Sequence, residues 1–208
     1  MAAKFENNNL IVLNPLSGDK VDTLTVSDEK YINDSILNAK IDSSWPSLSV
    51  SKRISCINKF RKELLKNKKE IASTIKNETG KIDFDITVEI LTSLEHLKQI
   101  ASIAKKALKI QRRNAGLMKT KKAYVKYEPL GVAGVIAPWN YPLATPLTSS
   151  SEALIAGNNV ILKPSEHTPL TSKLLKKIWD NTIEYRNAFQ VVIGGADVGE
   201  SIVKNSDI

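Results

Sequence analysis

Gly131-Val132-Ala133-Gly134-Val135-Ile136-Ala137, then a helix-compatible stretch from Leu143 to Ala156, then Val160-Ile161-Leu162: this run decides the fold. The first segment is small, apolar and β-branched, the composition of a strand buried on both faces. Pro146 lies near the start of the helical stretch, and Val160-Ile161-Leu162 reads as a second buried strand. The alternation then repeats. Thr168 to Trp179 is helical, with Pro169 near its first position, where a missing N–H is harmless. Phe189-Gln190-Val191-Val192-Ile193 reads as a third strand, and Asp197 to Lys204 as a third helix. Three strand–helix units predict an α/β fold, a parallel Rossmann-like sheet with flanking helices and right-handed crossovers.

Upstream, Leu10-Ile11-Val12-Leu13 and Val21 to Val26 flank Asn14-Pro15-Leu16-Ser17-Gly18-Asp19, a turn by composition, and predict a hairpin-like segment. Ser27-Asp28-Glu29 opens a helix to about Lys40. Two long amphipathic helices follow. Ile54, Ile57, Phe60, Leu64, Ile71 and Ile75 share one face of the first, which Gly80 ends. Val88, Leu91, Leu94, Leu97, Ala101, Ala104 and Leu108 mark the second. From Arg112 to Lys122 the chain is polar and basic, and Ala123-Tyr124-Val125-Lys126-Tyr127 alternates like an exposed strand.

The 208 residues are 42% hydrophobic and 25% charged, which argues for a packed core over disorder. The N-terminus carries no secretory signal pattern, and the apolar runs are too short and too broken for a bilayer crossing. These features predict a cytoplasmic protein without membrane attachment. The one cysteine, Cys56, sits within a helical pattern and reads as a packed thiol rather than a nucleophile. The net charge is +8. Nucleic-acid binding is the sharp reading of that excess. Against it, basic residues lie between apolar helix positions, as in Arg61-Lys62-Glu63-Leu64-Leu65-Lys66, without interleaved aromatic side chains. No nucleic-acid partner is therefore expected, and no metal-ligand set is assigned.

In open parallel sheets, ligands collect at the carboxyl ends of strands. That rule selects Ala137-Pro138-Trp139-Asn140-Tyr141-Pro142, Lys163-Pro164-Ser165-Glu166 and Gly194-Gly195-Ala196-Asp197-Val198-Gly199. Pro138 and Pro142 stiffen the loop around Asn140, whose amide could donate to an oxyanion. A turn-forming asparagine bonded to its own backbone is the plainer alternative. Lys163 and Glu166 offer an ammonium and a carboxylate to ribose hydroxyls or phosphate, or they form a solvent-exposed ion pair. The glycines do not spell G-x-G-x-x-G, so an ordinary strand-to-helix turn is the default there.

Taken together, Pro138-Trp139-Asn140-Tyr141-Pro142 and Ala156-Gly157-Asn158-Asn159-Val160-Ile161-Leu162-Lys163-Pro164-Ser165-Glu166-His167-Thr168-Pro169 resemble the aldehyde dehydrogenase superfamily. Tyr127-Glu128-Pro129-Leu130-Gly131-Val132 fits that pattern, as do Asn14-Pro15, Gly18, Trp45, Arg53, Glu78-Thr79-Gly80-Lys81 and Glu89. The resemblance runs along essentially the whole chain and matches the family's N-terminal half. It implies NAD(P)-dependent oxidation of a small-molecule aldehyde to a carboxylic acid. It also implies that Asn140 binds the thiohemiacetal oxyanion and that Ile136, Ala137, Pro138 and Trp139 line the cofactor cleft. Lys163 and Glu166 would contact the adenosine ribose, with Gly194 and Gly195 near the adenine. Glu166 would repel a 2′-phosphate, which favours NAD without excluding NADP.

By the same resemblance, residues 1–110 form the N-terminal helical part of the cofactor-binding domain. Residues 111–127 form oligomerisation-arm strands of a homo-oligomer, and residues 128–208 an incomplete dinucleotide-binding segment. The family's nucleophilic cysteine, its general-base glutamate and its Phe-Thr-Gly-Ser and Glu-Leu-Gly-Gly segments have no match here, and Cys56 does not occupy the nucleophile's place. A second departure is Ile183-Glu184-Tyr185-Arg186-Asn187-Ala188, where the family often has an Ala-Gly-Leu-Pro type of turn. The expectation is a fragment of an active enzyme, inactive alone. The alternatives are a nucleotide-binding remnant without catalysis and a basic interaction protein on a borrowed fold.

Overall fold

A computed structural model of the chain describes residues 3–208. Strands β1 (Ala3–Glu6), β2 (Asn9–Leu13) and β3 (Lys20–Thr25) form an antiparallel sheet in that order. The expected hairpin is β2–β3. Its turn is closed by the Asn14 side chain, whose Oδ1 accepts from the Leu16 N–H at 2.9 Å, and by Gly18 at φ +76°. The additional strand β1 has only Ala3 buried, too little apolar alternation to be read from sequence. Helix α1 (Glu29–Ile41) starts as expected, with the Asp28 carboxylate accepting from the Tyr31 N–H at 2.7 Å.

The first long helix is two. Helix α2 (Val50–Lys66) stops at Asn67, whose side-chain amide donates to the Glu63 carbonyl at 2.8 Å, and α3 (Lys68–Thr79) resumes directly. A side chain that competes for a helical carbonyl breaks the run without interrupting the apolar spacing. Helix α4 (Asp83–Ala107) buries Leu94, Leu97, Ala101 and Ala104 of the expected stripe and departs from it in its first turns. Ile86, Glu89, Ile90, Ser93, Leu94 and Leu97 are buried, whereas Val88 and Leu91 are exposed. The buried polar residues Glu89 and Ser93 hid the true stripe from an apolar count.

Strands β4 (Gln111–Arg113) and β5 (Ala123–Val125) pair antiparallel as a separate ribbon. The parallel sheet comprises β6 (Val132–Ile136), β7 (Asn159–Lys163) and β8 (Phe189–Val191), in the order β6-β7-β8. Helix α5 (Ala144–Ala156) joins β6 to β7, α6 (Pro169–Thr182) joins β7 to β8, and α7 (Ala196–Lys204) follows. Strand β7 is buried throughout, as expected of a central strand. Strand β6 corrects the sequence reading: only Val132 is buried, and Gly134 and Ile136 are exposed. Among the described residues it has one strand neighbour, β7, and so stands at an edge.

The larger of two apolar clusters runs from Leu10, Val12 and Leu24 in the meander through α2–α4 to Val160 and Leu162 in β7, and the smaller packs α1 and α7 against Val132, Ile161 and Val192. At the centre of the larger, Trp179 packs against Trp45, Phe60 and Phe189 with ring centroids 5.1–5.7 Å apart. Buried aromatic pairs in such edge-on and tilted arrangements add to the stabilisation from area burial. No helix among the described residues is long and apolar enough to cross a membrane.

Candidate functional site

The parallel register sets Ile136 opposite Lys163, and the Ala137 N–H donates to the Lys163 carbonyl at 3.0 Å. The Pro-Trp-Asn loop therefore leaves β6 directly beside the lysine that ends β7. Strand β8 extends this row, since the Val192 N–H donates to the Leu162 carbonyl at 2.9 Å before the chain turns through Gly194-Gly195 into α7. A Cβ at Gly199 would stand 3.4–3.8 Å from the Lys163 stem and Ile136 Cδ1, so α7 closes over both. Three segments far apart in sequence meet at one sheet end.

Lys163 is only 4% exposed. Its Nζ donates to the Pro164 carbonyl at 3.0 Å and stands 3.9 Å from Glu166 Oε2. Burial pulls the ammonium pKa down from its usual range, partly offset by Glu166 and Asp197. An ammonium has three donors. With one hydrogen bond made, the others remain available to a ligand oxygen, which fits a ribose or phosphate partner. Glu166 is half-buried beside it, accepting from the Ser165 hydroxyl at 3.4 Å. Trp139, Asn140 and Tyr141 are exposed on the neighbouring rim, and Ala137 is buried beneath it, with Pro138 exposed between them.

The rim is held from below by residues that the sequence showed only as landmarks. Glu89, buried on α4, accepts through Oε1 from the N–H groups of Leu143 at 2.9 Å and Ala144 at 3.2 Å. A carboxylate thus occupies the N-terminal turn of α5, where the helix dipole favours negative charge. Lys81 donates to Glu89 Oε2 at 2.7 Å and lies 4.3 Å from the centre of the Tyr141 ring. At the other end of α5, Trp45 Nε1 donates to the Leu154 carbonyl at 2.9 Å and Arg53 Nε to the Ile155 carbonyl at 3.0 Å. Both ends of the helix that follows Asn140 are fixed.

Helix α6 is anchored in the same way. Glu78, 1% exposed, accepts from the N–H groups of Leu170 and Thr171 and from the Thr171 hydroxyl at 2.6 Å. Burial outweighs these donors and pushes its carboxyl up to about 7. With the first-turn N–H groups taken by Glu78, the Thr168 hydroxyl at the N-cap position has no partner.

The glycines divide. A Cβ at Gly194 would fall 2.2 Å from Val198 Cγ2, so helix packing by itself requires glycine there. At Gly195 the nearest atoms would be Asp197 Oδ1 at 3.1 Å and the exposed Phe5 ring at 3.2 Å. Cys56 lies on α2, away from the strand ends, and burial raises its thiol pKa against the pull of Lys52 and Lys59. That environment suits a packed thiol. A cavity of about 580 Å³ lies between β3, α6 and the end of β8 and includes none of the predicted site residues.

The aldehyde dehydrogenase family model matches residues 3–208. The chain belongs to the aldehyde dehydrogenase family. This aldehyde dehydrogenase chain is 30% identical over 198 residues to betaine aldehyde dehydrogenase of Vibrio vulnificus (strain CMCP6), with 94% of this chain and 40% of that protein covered. A Mycobacterium tuberculosis aldehyde dehydrogenase solved with NAD+ superposes with a TM-score of 0.91 at 26% identity, over 98% of this chain and 42% of that one. An NADP-dependent enzyme of E. coli gives a TM-score of 0.89 at 25% identity, over 94% of this chain and 40% of that one. The chain spans about two fifths of the length of these relatives.

Proposed function

We propose that this chain supplies the cofactor-binding half and the oxyanion-binding asparagine of an NAD(P)-dependent oxidation of an aldehyde to a carboxylic acid. The observation that carries the reading is the junction of Ile136, Lys163 and the α7 entry at one sheet end, with Lys163 Nζ buried and only partly hydrogen-bonded. Lys163 and Glu166 hold the ribose hydroxyls, one as donor and one as acceptor. Ile136, Ala137, Pro138 and Trp139 would form the wall beside the cofactor, and the Gly194-Gly195 turn would lie towards its adenine. NAD is the preferred cofactor, because the Glu166 carboxylate would repel a 2′-phosphate. NAD bound there would supply the hydride acceptor for oxidation of the aldehyde.

The side-chain amide of Asn140 donates to the oxygen that gains charge when a thiolate adds to the aldehyde carbonyl. Preorganisation is its contribution: Glu89 fixes the turn three residues downstream, so little rearrangement accompanies charge development. The attacking thiolate and the general base for thioester hydrolysis are assigned to residues other than those of this chain, whose one thiol, Cys56, is packed within α2. The β4–β5 ribbon is the oligomerisation arm of a homo-oligomer, and the compartment is the cytoplasm. The alternative to this reading is nucleotide binding without turnover.

The test is NAD+ reduction at 340 nm by protein from its natural source with a panel of aldehydes, alongside NAD+ affinity. Asn140→Ala should lower kcat by about 10²–10³ and leave NAD+ affinity unchanged. Binding without turnover would support the second reading. Turnover unaffected by Asn140→Ala would remove the oxyanion role.

A further inference from the structure

The net charge of this chain is not spread as the helical Lys and Arg positions suggested. Between Lys105 and Lys126 there are nine lysines and arginines and no aspartate or glutamate. The rest of the chain carries 21 basic against 22 acidic residues, so the whole positive excess resides in the end of α4 and the β4–β5 ribbon.

Within that segment the charges converge. A cavity of about 280 Å³ at the ribbon's loop is lined by Arg112, Arg113, Lys119, Lys121 and Lys122 together with Asn114-Ala115-Gly116. The loop is folded back on itself: Asn114 Oδ1 accepts from the Gly116 N–H at 2.9 Å, Gly116 takes φ +61°, and the Lys121 N–H donates to the Met118 carbonyl at 2.9 Å. None of the ion pairs among the described residues includes any of the five cations. Five like charges held around one cavity repel each other, and a multiply charged anion removes that repulsion. Two guanidinium forks and three ammonium groups suit tetrahedral phosphate oxygens. The cavity is small, and its tip residues Leu117 and Met118 offer no ring for stacking bases, which favours a compact anion over a nucleic-acid strand.

We propose that the loop of the β4–β5 ribbon is a binding site for an oligophosphate group, separate from the dinucleotide site at the strand ends. None of its residues belongs to the strand-end row, and it requires that the loop stay accessible when the ribbon serves as the oligomerisation arm proposed above. The shared chemistry is a cluster of phosphate oxygens, either free in solution or on a lipid headgroup.

The experiment is calorimetric titration of sodium tripolyphosphate into the full chain at low and physiological salt. Saturable binding is expected, weakened at least about tenfold by the added salt. The triple variant Arg113→Gln, Lys121→Gln, Lys122→Gln should weaken it at least about tenfold more. Two controls should bind like the parent: Lys163→Met, which damages the strand-end site, and Lys62→Gln, Lys68→Gln, Lys69→Gln, which removes three exposed lysines elsewhere. Phosphatidylcholine vesicles with and without phosphatidic acid separate the sources. Sedimentation only with phosphatidic acid, competed by tripolyphosphate, identifies a headgroup, and tripolyphosphate binding without sedimentation identifies a free anion. The proposal is overturned by absence of saturable binding, by equal binding in the loop variant, by loss of binding in Lys163→Met, or by sulfate binding as well as tripolyphosphate at equal ionic strength. An RNA oligonucleotide binding more tightly than tripolyphosphate would also overturn it.

Discussion

Lys163 and Glu89 are both charged and buried, and the structure treats them differently. Glu89 is satisfied on both oxygens, by two backbone N–H groups and by Lys81. Lys163 keeps unused donors at the strand ends. The first arrangement positions a loop, and the second leaves donors that the proposed cofactor would use. Lys163→Met should therefore weaken NAD+ binding by about tenfold, roughly 1.4 kcal/mol, with little loss of stability, read by calorimetry and urea unfolding in parallel. Glu89→Gln keeps an acceptor for the α5 turn but strands the Lys81 charge. It should cost roughly 1–3 kcal/mol of stability and speed amide exchange at Leu143 and Ala144. Lys163 and Glu166 were legible in sequence because they follow a strand within three residues of each other. The Lys81–Glu89 clamp was not, because its acceptor role serves N–H groups 54 and 55 residues away.

Helices α5 and α6 borrow their end groups from elsewhere in the chain, so their stability depends on distant residues. Glu78 at the head of α6 gives this a pH signature. Its carboxyl is raised from 4.5 to about 7 in the folded state, so between those values the folded chain holds a proton that the unfolded chain has released. Stability is then greatest below pH 4.5 for this group and falls as pH rises through 7, by roughly 3 kcal/mol. Glu78→Gln should flatten that slope in urea unfolding series, and an unchanged slope would place the titration elsewhere. At the tail of α5, Trp45→Phe keeps the ring contact with Trp179 but leaves the Leu154 carbonyl without its donor. A loss of roughly 1–3 kcal/mol is expected by the same method. The alternation of strands and helices was legible from apolar runs and turn residues, as was the Asp28 cap. The break at Asn67 was not, since the apolar spacing from Leu64 to Ile71 continues across it. Nor was the edge position of β6, because composition reports apolarity and not the number of neighbours.

At the scale of the whole molecule, the parallel sheet presents β6 as an open edge, with Ile136 51% exposed. Trp139 and Tyr141 lie exposed beside it. Unpaired strand edges with apolar side chains associate with other chains. The 208-residue chain should therefore self-associate or require a partner, and light scattering behind size exclusion should give masses above 23.0 kDa. A monodisperse monomer that melts cooperatively would contradict this. The central claim is that the ends of β6, β7 and β8 form a dinucleotide site built around Lys163. The measurement that tests it most directly is calorimetric titration of NAD+ into protein from its natural source and into its Lys163→Met and Glu166→Gln variants. Saturable binding, weakened about tenfold in each variant, is the predicted result. Absence of binding, or equal affinity in all three proteins, would contradict the assignment of this site.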